Sequence, residues 1–229
     1  VYGMNFVNVD TTTVEGIKHA ADLNLVPSGI PDVLFSPLFL EPIRTLYSRK
    51  HPAKLIVIMR HPVDRAVAMF RYLSTATWDP GYSPQLAQMT LEQYGLSARI
   101  DNNYVTRLLT GKMGGSINNN DLNQAKEILR KKALVGLYDN FEEAIQHLER
   151  YFGWKTVSAD ALNCQAQIIR DGLTKGQVET LDPGSTAFTL IRQQNLFDIK
   201  LYDYVKNVLI PYQHEAVRRQ SQQFGTTIA

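Results

Sequence analysis

The chain has 229 residues, of which 44% are hydrophobic and 20% are charged, a composition ordinary for a globular domain with one sizeable core. Its net charge of +2 gives no basic field for bulk nucleic-acid binding, so any anion site must be a local cluster. No run approaches the about 18 apolar residues of a membrane-spanning helix. The single cysteine, Cys164, excludes an intrachain disulfide and a Cys-rich metal site.

The first residues predict a strand followed by a helix. In residues 1–10, VYGMNFVNVD, apolar positions alternate with others, as they do in a strand. Residues 11–23 begin with threonines, which favour a helix start. The chain opens at Val1 without signal-peptide anatomy, and we interpret it as a processed protein or as a piece of a longer one.

The clearest strand signal is Leu55–Met59, five apolar residues in a row, which is typical of a strand covered on both faces. Prolines cross the segment before it, so short helices and turns are expected there. After it, Pro62 and Asp64 suit the first turn of a helix.

The second half of the chain repeats this alternation. A helix is predicted to end at Gly111, and Asp121 with Gln124 forms a plausible capping box for the next helix. "ALVGLYD", residues 133–139, then predicts a second buried strand, and Asn140 is predicted to cap the helix after it.

The last third predicts one long helix. The stretch 155–184 is polar and predicts no element. Asn195 with Asp198 is predicted to cap a helix whose apolar stripe includes Val208, and Pro211 is predicted to kink or stop that helix.

Strands separated by capped helices predict a single α/β domain over residues 1–229, with a mostly parallel sheet flanked by helices. Ligands of such sheets bind at the carboxyl ends of the strands, which is where Arg60 lies. A guanidinium beside a helix N-terminus suits a phosphate group. The alternative is that Arg60 and Arg65 form ion pairs with acids such as Asp64. Arg65 lies about 140° round the helix from Arg60.

The stretch "LIVIMRHPVDRAVAMF" resembles the 3′-phosphate-binding motif of sulfotransferases, Arg-x-Pro-x-x-Arg-x-x-Ser-x-Tyr/Phe. "NNYVTRLLTG", "DLNQAKEILRKKALVGLYDNFEEAIQHLERYFGW" and "NLFDIKLYDYV" agree in order and spacing with the carbohydrate-type, Golgi-like branch and its bacterial and algal relatives. The resemblance is strongest over residues 55–209. It implies a fold related to nucleotide kinases and P-loop proteins. It also implies transfer of a sulfuryl group from 3′-phosphoadenosine-5′-phosphosulfate (PAPS) to a hydroxyl or amine, without a metal.

The resemblance assigns the cofactor site to Arg60, His61, Arg65 and position 68. Ala68 stands where the motif has Ser, so a hydroxyl donor to the phosphate is missing. The family's Lys/Gly/Thr-rich loop for the 5′-phosphosulfate has no counterpart in this sequence, so the first strand of the family's fold is expected to be absent. Met4 aligns with a histidine that serves some relatives as a base. His61 is expected either to contact the phosphate or to be exposed.

No catalytic group is identified by these motifs. Glu15 and His19 are the candidates for a general base. No two histidines have the i, i+4 spacing of a helical metal pair, so no metal site is predicted. The segment "LTKGQ", with Lys175, is either a cofactor lid or a solvated turn.

Two functions remain open at this stage. The first is an active PAPS-dependent sulfotransferase acting on a carbohydrate or another hydroxyl acceptor. The second is a sulfotransferase-like domain without activity that binds protein partners in a larger assembly. Family analogy implies the Golgi lumen, whereas a single cysteine and no visible anchor fit the cytosol or an organelle equally well.

Overall fold

The computed structural model describes residues 8–154, 158–176 and 180–223. The strands are β1 (Leu55–Met59) and β2 (Ala133–Leu137). The helices are α1 (Val14–Asp22), α2 (Leu40–Thr45), α3 (Pro62–Thr75), α4 (Leu91–Leu96), α5 (Tyr104–Thr110), α6 (Asn119–Lys132), α7 (Phe141–Phe152), α8 (Ala159–Gly176), α9 (Thr186–Gln194), α10 (Leu196–Tyr204) and α11 (Ile210–Gln223).

The two predicted strands pair in parallel, and helices flank them. The register runs from Leu55 opposite Ala133 to Met59 opposite Leu137. The α/β class and the parallel pairing are therefore confirmed, within the described residues, for a sheet of two strands. All five residues of β2 are buried, whereas Met59 is the one buried residue of β1. The prediction that β1 is covered on both faces holds only in part.

Three hydrophobic clusters form the interior of the described chain. The largest joins β2 to α5, α6 and α10 through residues such as Leu109, Leu129 and Leu201. A second lies between α3, α4 and α9. A third packs α1 against the segment around α2, with Ile17 at its centre. The first two clusters thus surround the sheet and the helix that follows β1, whereas α1 belongs to a separate cluster.

Helices α5 and α10 cap each other. The Asn103 side chain accepts hydrogen bonds from the backbone N–H groups of Phe197 and Asp198, at 2.8 and 3.2 Å. In return, the Asp198 carboxylate accepts from the N–H groups of Val105 and Thr106 and from the Thr106 hydroxyl, at 2.7 to 2.9 Å. The first N–H groups of a helix have no partner within that helix. Those of α5 and α10 are therefore satisfied by side chains from the other helix of the pair.

Three of the predicted caps are wrong in detail, whereas Gly111 ends α5 as predicted. Asn118 caps α6, and Asp121 occupies the third helical position of the capping box rather than the cap position. Asn140 makes no side-chain cap bond. Asn195 accepts from the N–H of Asn103 instead of capping α10. For Asn195, a distant backbone N–H takes the side-chain oxygen that would otherwise cap its own helix.

Two expectations for the last third of the chain are also corrected. The polar stretch 155–184 contains α8, whose residues are mostly exposed. Pro211 does not stop the final helix, because a π-helical segment, Val205–Leu209, joins α10 to α11. Within that segment Val208 is 54% exposed and does not belong to the apolar stripe. A π turn changes which residues share a face.

Asp198→Ala is expected to lower the free energy of unfolding by about 3 kcal/mol or more, because three donors lose their acceptor at a site with no exposed surface. Urea unfolding followed by circular dichroism measures this. Asp203→Ala, at an exposed position of the same helix, is the matched control and is expected to change it little. Equal effects of the two substitutions would contradict the reciprocal cap.

A pair of histidines lies between α7 and α11. The rings of His147 and His214 are 4.4 Å apart between centroids, and the Nε2 atom of His147 is buried without a hydrogen-bond partner. Burial, the neighbouring His214 and Arg150 lower the pKa of His147 to about 4, against the opposing charge of Glu143. Burial also lowers the pKa of His214; Glu143 opposes this, while Arg150 and Arg218 add to it.

Because the folded pKa of His147 lies below the unfolded value of 6.5, the unfolded chain binds more protons in acid. Stability is therefore expected to fall between about pH 6.5 and 4, by about 3 kcal/mol from this residue, since one pKa unit corresponds to 1.36 kcal/mol. Urea midpoints across this range measure the loss. His147→Leu is expected to flatten the profile, whereas His19→Leu at an exposed position is not. An unchanged profile in His147→Leu would exclude this origin.

Candidate functional site

The site is built where the two parallel strands end. Arg60 follows the last residue of β1, and Tyr138 follows the last residue of β2, whose partner is Met59. The guanidinium carbon of Arg60 lies 4.7 Å from the centroid of the Tyr138 ring, within the range of a cation–π contact. The phenol of Tyr138 donates to the carbonyl of Leu173 in α8, at 3.3 Å. The pairing register therefore brings Arg60 beside an aromatic face.

His61 is enclosed by aromatic rings. Its ring stacks on Phe188 at 6.2 Å and meets the edge of Tyr202 at 5.3 Å. Its Nδ1 atom lies 3.8 Å from a carboxylate oxygen of Asp64. The side chain is 28% exposed, so it is not the fully exposed residue of one alternative, and its neighbours position it at the N-terminus of α3.

Two carboxylates, Asp64 and Asp139, lie with Arg60 at the carboxyl ends of the two strands. The Tyr202 phenol donates to Asp139 at 2.9 Å, and burial together with this hydrogen bond raises the pKa of Tyr202. Burial also raises the pKa of Asp64; His61 and Arg60 oppose this, and the charge of Asp139 adds to it. The site therefore combines one guanidinium with acids of opposite sign, one of which is easier to protonate than a free Asp.

Arg65 is held elsewhere. Its Nη2 donates to the carbonyl of Asp101 at 3.0 Å, and its guanidinium carbon lies 4.6 Å from the Tyr104 ring centroid. Its Nε and Nη1 atoms are buried without a hydrogen-bond partner in the described chain. These contacts attach α3 to the start of α5, and they agree with the expectation from helical spacing that Arg65 does not share the direction of Arg60.

Other predicted site residues lie apart from these contacts. Ala68 is half-buried within α3. Glu15 and His19 are exposed on α1, which packs in the third cluster. Met4 lies outside the described residues, and so does the side chain of Lys175. Among the predicted residues, the structure therefore brings Arg60 and His61 together with Asp64, but not with Glu15 or His19.

Sequence reasoning did not identify Asp139, Tyr202 or Phe188 as part of this site. Asp139 follows a buried strand, so the rule that ligands bind at carboxyl ends gave a signal for it. Tyr202 and Phe188 come from α10 and α9, and no local pattern links them to the strands. Arg107, the arginine of the motif stretch NNYVTRLLTG, stabilises a loop by donating to the carbonyls of Lys112 and Gly115.

Within the described ranges, no helix is long and apolar enough to cross a bilayer. No group of three or more His, Cys, Asp or Glu side chains in those ranges is arranged to hold a metal ion. Comparison with known proteins gave no match to any family model, to any curated protein or to any solved structure.

Proposed function

We propose that this chain is a sulfotransferase-family domain that binds the 3′-phosphate of PAPS at Arg60. The observation that carries the proposal is the position of Arg60 at the carboxyl end of a parallel strand, two residues before the start of a helix of 14 residues. The sequence resemblance through residues 55–209 supports the same assignment, and with it the P-loop-kinase-like fold.

The local geometry favours an anion beside Arg60. The His61 side chain makes no cap bond to α3, so the N–H groups of Val63 and Asp64 are not capped by it, and Pro62 has none. Two such N–H groups and a guanidinium form a cradle for a phosphate. Tyr138, whose ring lies on the guanidinium, restricts its orientation. In this role Arg60 anchors the nucleotide and takes no part in the chemistry.

Sulfuryl transfer is an in-line displacement, in which the acceptor oxygen or nitrogen attacks sulfur and the nucleotide leaves with the bridging oxygen. It needs a base on the acceptor and positive charge at the leaving oxygen. Fixing the nucleotide at its 3′-phosphate contributes orientation to this step. The acceptor is proposed to be a hydroxyl, as in a carbohydrate, or an amine.

A second candidate function is binding without catalysis, as a subunit of a larger assembly. Two observations favour it. Ala68 lacks the hydroxyl of the motif, and a hydrogen bond to a charged group is worth about 1.5–3 kcal/mol. Asp64 and Asp139 also place negative charge near Arg60, which opposes binding of a phosphate dianion unless Asp64 is protonated.

Calorimetric titration with adenosine 3′,5′-bisphosphate, the desulfated product, tests the proposal. The native chain is expected to bind at micromolar concentration. Arg60→Ala is expected to weaken binding by about ten- to a hundredfold, as expected for a lost charge-assisted hydrogen bond. Adenosine 5′-phosphate, which has no 3′-phosphate, is expected to bind the native chain as weakly as the bisphosphate binds the variant.

Arg44→Ala, at an exposed position of α2, controls for the loss of one positive charge and is expected to bind normally. No heat of binding from the folded native chain would exclude the nucleotide site. Bisphosphate binding without transfer of label from sulfur-labelled PAPS to hydroxyl or amine acceptors would favour the second candidate.

A further inference from the structure

The outer edge of β2 is partly closed by a side-chain amide. The Nε2 group of Gln213, on α11, donates to the carbonyl of Ala133 at 2.7 Å, and the N–H of Val135 donates to Oε1 of Gln213 at 3.1 Å. A neighbouring strand would pair with a carbonyl and an N–H two residues apart in the same way. Gln213 therefore takes the place of one residue of a third strand.

The next pair on this edge is open. Carbonyl and N–H groups of one residue point to the same side of a strand, and the side alternates along the chain. Because Ala133 and Val135 face Gln213, Leu137 faces the same way, and Leu134 and Gly136 face β1. The Val135 carbonyl and the Leu137 N–H thus form a second acceptor–donor pair. Neither has a hydrogen-bond partner among the residues that the structure describes.

A cavity of about 530 Å³ lies at this open pair, bounded by β2, α7 and the segment from Lys206 to Arg218. Small-molecule sites have volumes of about 300–1,000 Å³. The cavity is thus large enough for a small molecule and has a fixed pair of hydrogen-bonding groups on one wall.

The cavity wall carries charges of both signs. Glu215 pairs with Arg218 at 3.7 Å. His214 lies 3.6 Å from Glu143, and because burial lowers the pKa of His214, its imidazole does not neutralise the Glu143 carboxylate near neutral pH. Lys206 has no ion-pair partner within the described ranges. Lys206 belongs to the π-helical segment and lines the cavity. A ligand carboxylate would pair with its ammonium group.

We propose that this cavity binds a small carboxylic acid that carries a primary carboxamide, the monoamide of a dicarboxylic acid. The carboxamide would bind Val135 and Leu137 as Gln213 binds the preceding pair, and the carboxylate would bind Lys206. A primary carboxamide presents a donor and an acceptor on the same side, as this pair requires. An ester lacks the donor, and a second carboxylate would face the Val135 carbonyl.

Glutaramate, the monoamide of glutaric acid, is the probe, and nitrogen–proton correlation spectra of the labelled protein are the readout. The Leu137 N–H signal is expected to shift to low field and to saturate. Monomethyl glutarate and glutarate are the matched probes, and each is expected to bind at least tenfold more weakly, since each forfeits the bond to Val135. Propionamide, with the amide alone, tests the carboxylate contact and is expected to bind at least tenfold more weakly too.

Lys206→Met is expected to weaken glutaramate binding at least tenfold, while Lys200→Met, at an exposed position of α10, leaves it unchanged. No shift of Leu137 at millimolar glutaramate would overturn the proposal. Equal binding of the ester would exclude the amide pairing, and equal binding by Lys206→Met would exclude the carboxylate contact. None of these readouts involves Arg60 or a nucleotide, so they stand or fail separately from the proposed sulfotransferase function.

Discussion

The parallel pairing of β1 with β2 is the constraint on which both proposed sites depend. Because Met59 pairs with Leu137, the residues that follow them, Arg60 and Tyr138, leave the sheet at one edge. A slip by one residue would turn every side chain of one strand to the other face. It would also exchange the backbone groups that face Gln213 with those that face β1. The register is specified by the close contact of Gly136 with Ala144 on α7, where a larger residue would not fit.

The reciprocal caps explain how helices distant in the sequence hold this strand pair. Asn103 and Asp198 are 95 residues apart. The side chain of each accepts hydrogen bonds from the first N–H groups of the helix that the other residue begins. Burial raises the pKa of Asp198, and the bonds from Thr106 and Val105 oppose that effect. The carboxylate is thus tolerated in the interior because its neighbours are donors. The same contact positions α10, which carries Tyr202 to the edge of the His61 ring.

The sequence predicted what local patterns determine and failed where distant partners decide. Five apolar residues in a row predicted β1, and the carboxyl-end rule placed Arg60 at a site, because both depend on neighbours in the chain. Asn195 and Asp198 were predicted to cap their own helix, but their bonds go to residues more than 90 positions away. Helix α8 was missed although Ala161, Cys164 and Ile168 recur at helical spacing and line a pocket with Ile145 of α7.

Arg60 follows β1, whereas the cavity lies along the outer edge of β2, and the backbone separates the two proposed sites. Tyr138 faces Arg60 at the end of the strand, whereas the N–H of Leu137, one residue earlier, faces the cavity laterally. A ligand bound at one site would change the other site only if it moved the end of β2. That end is held by the ladder to β1 and by the helical turn Tyr138–Asn140, and a packed interior of this kind resists continuous deformation. We therefore expect the two proposed sites to be occupied independently of each other.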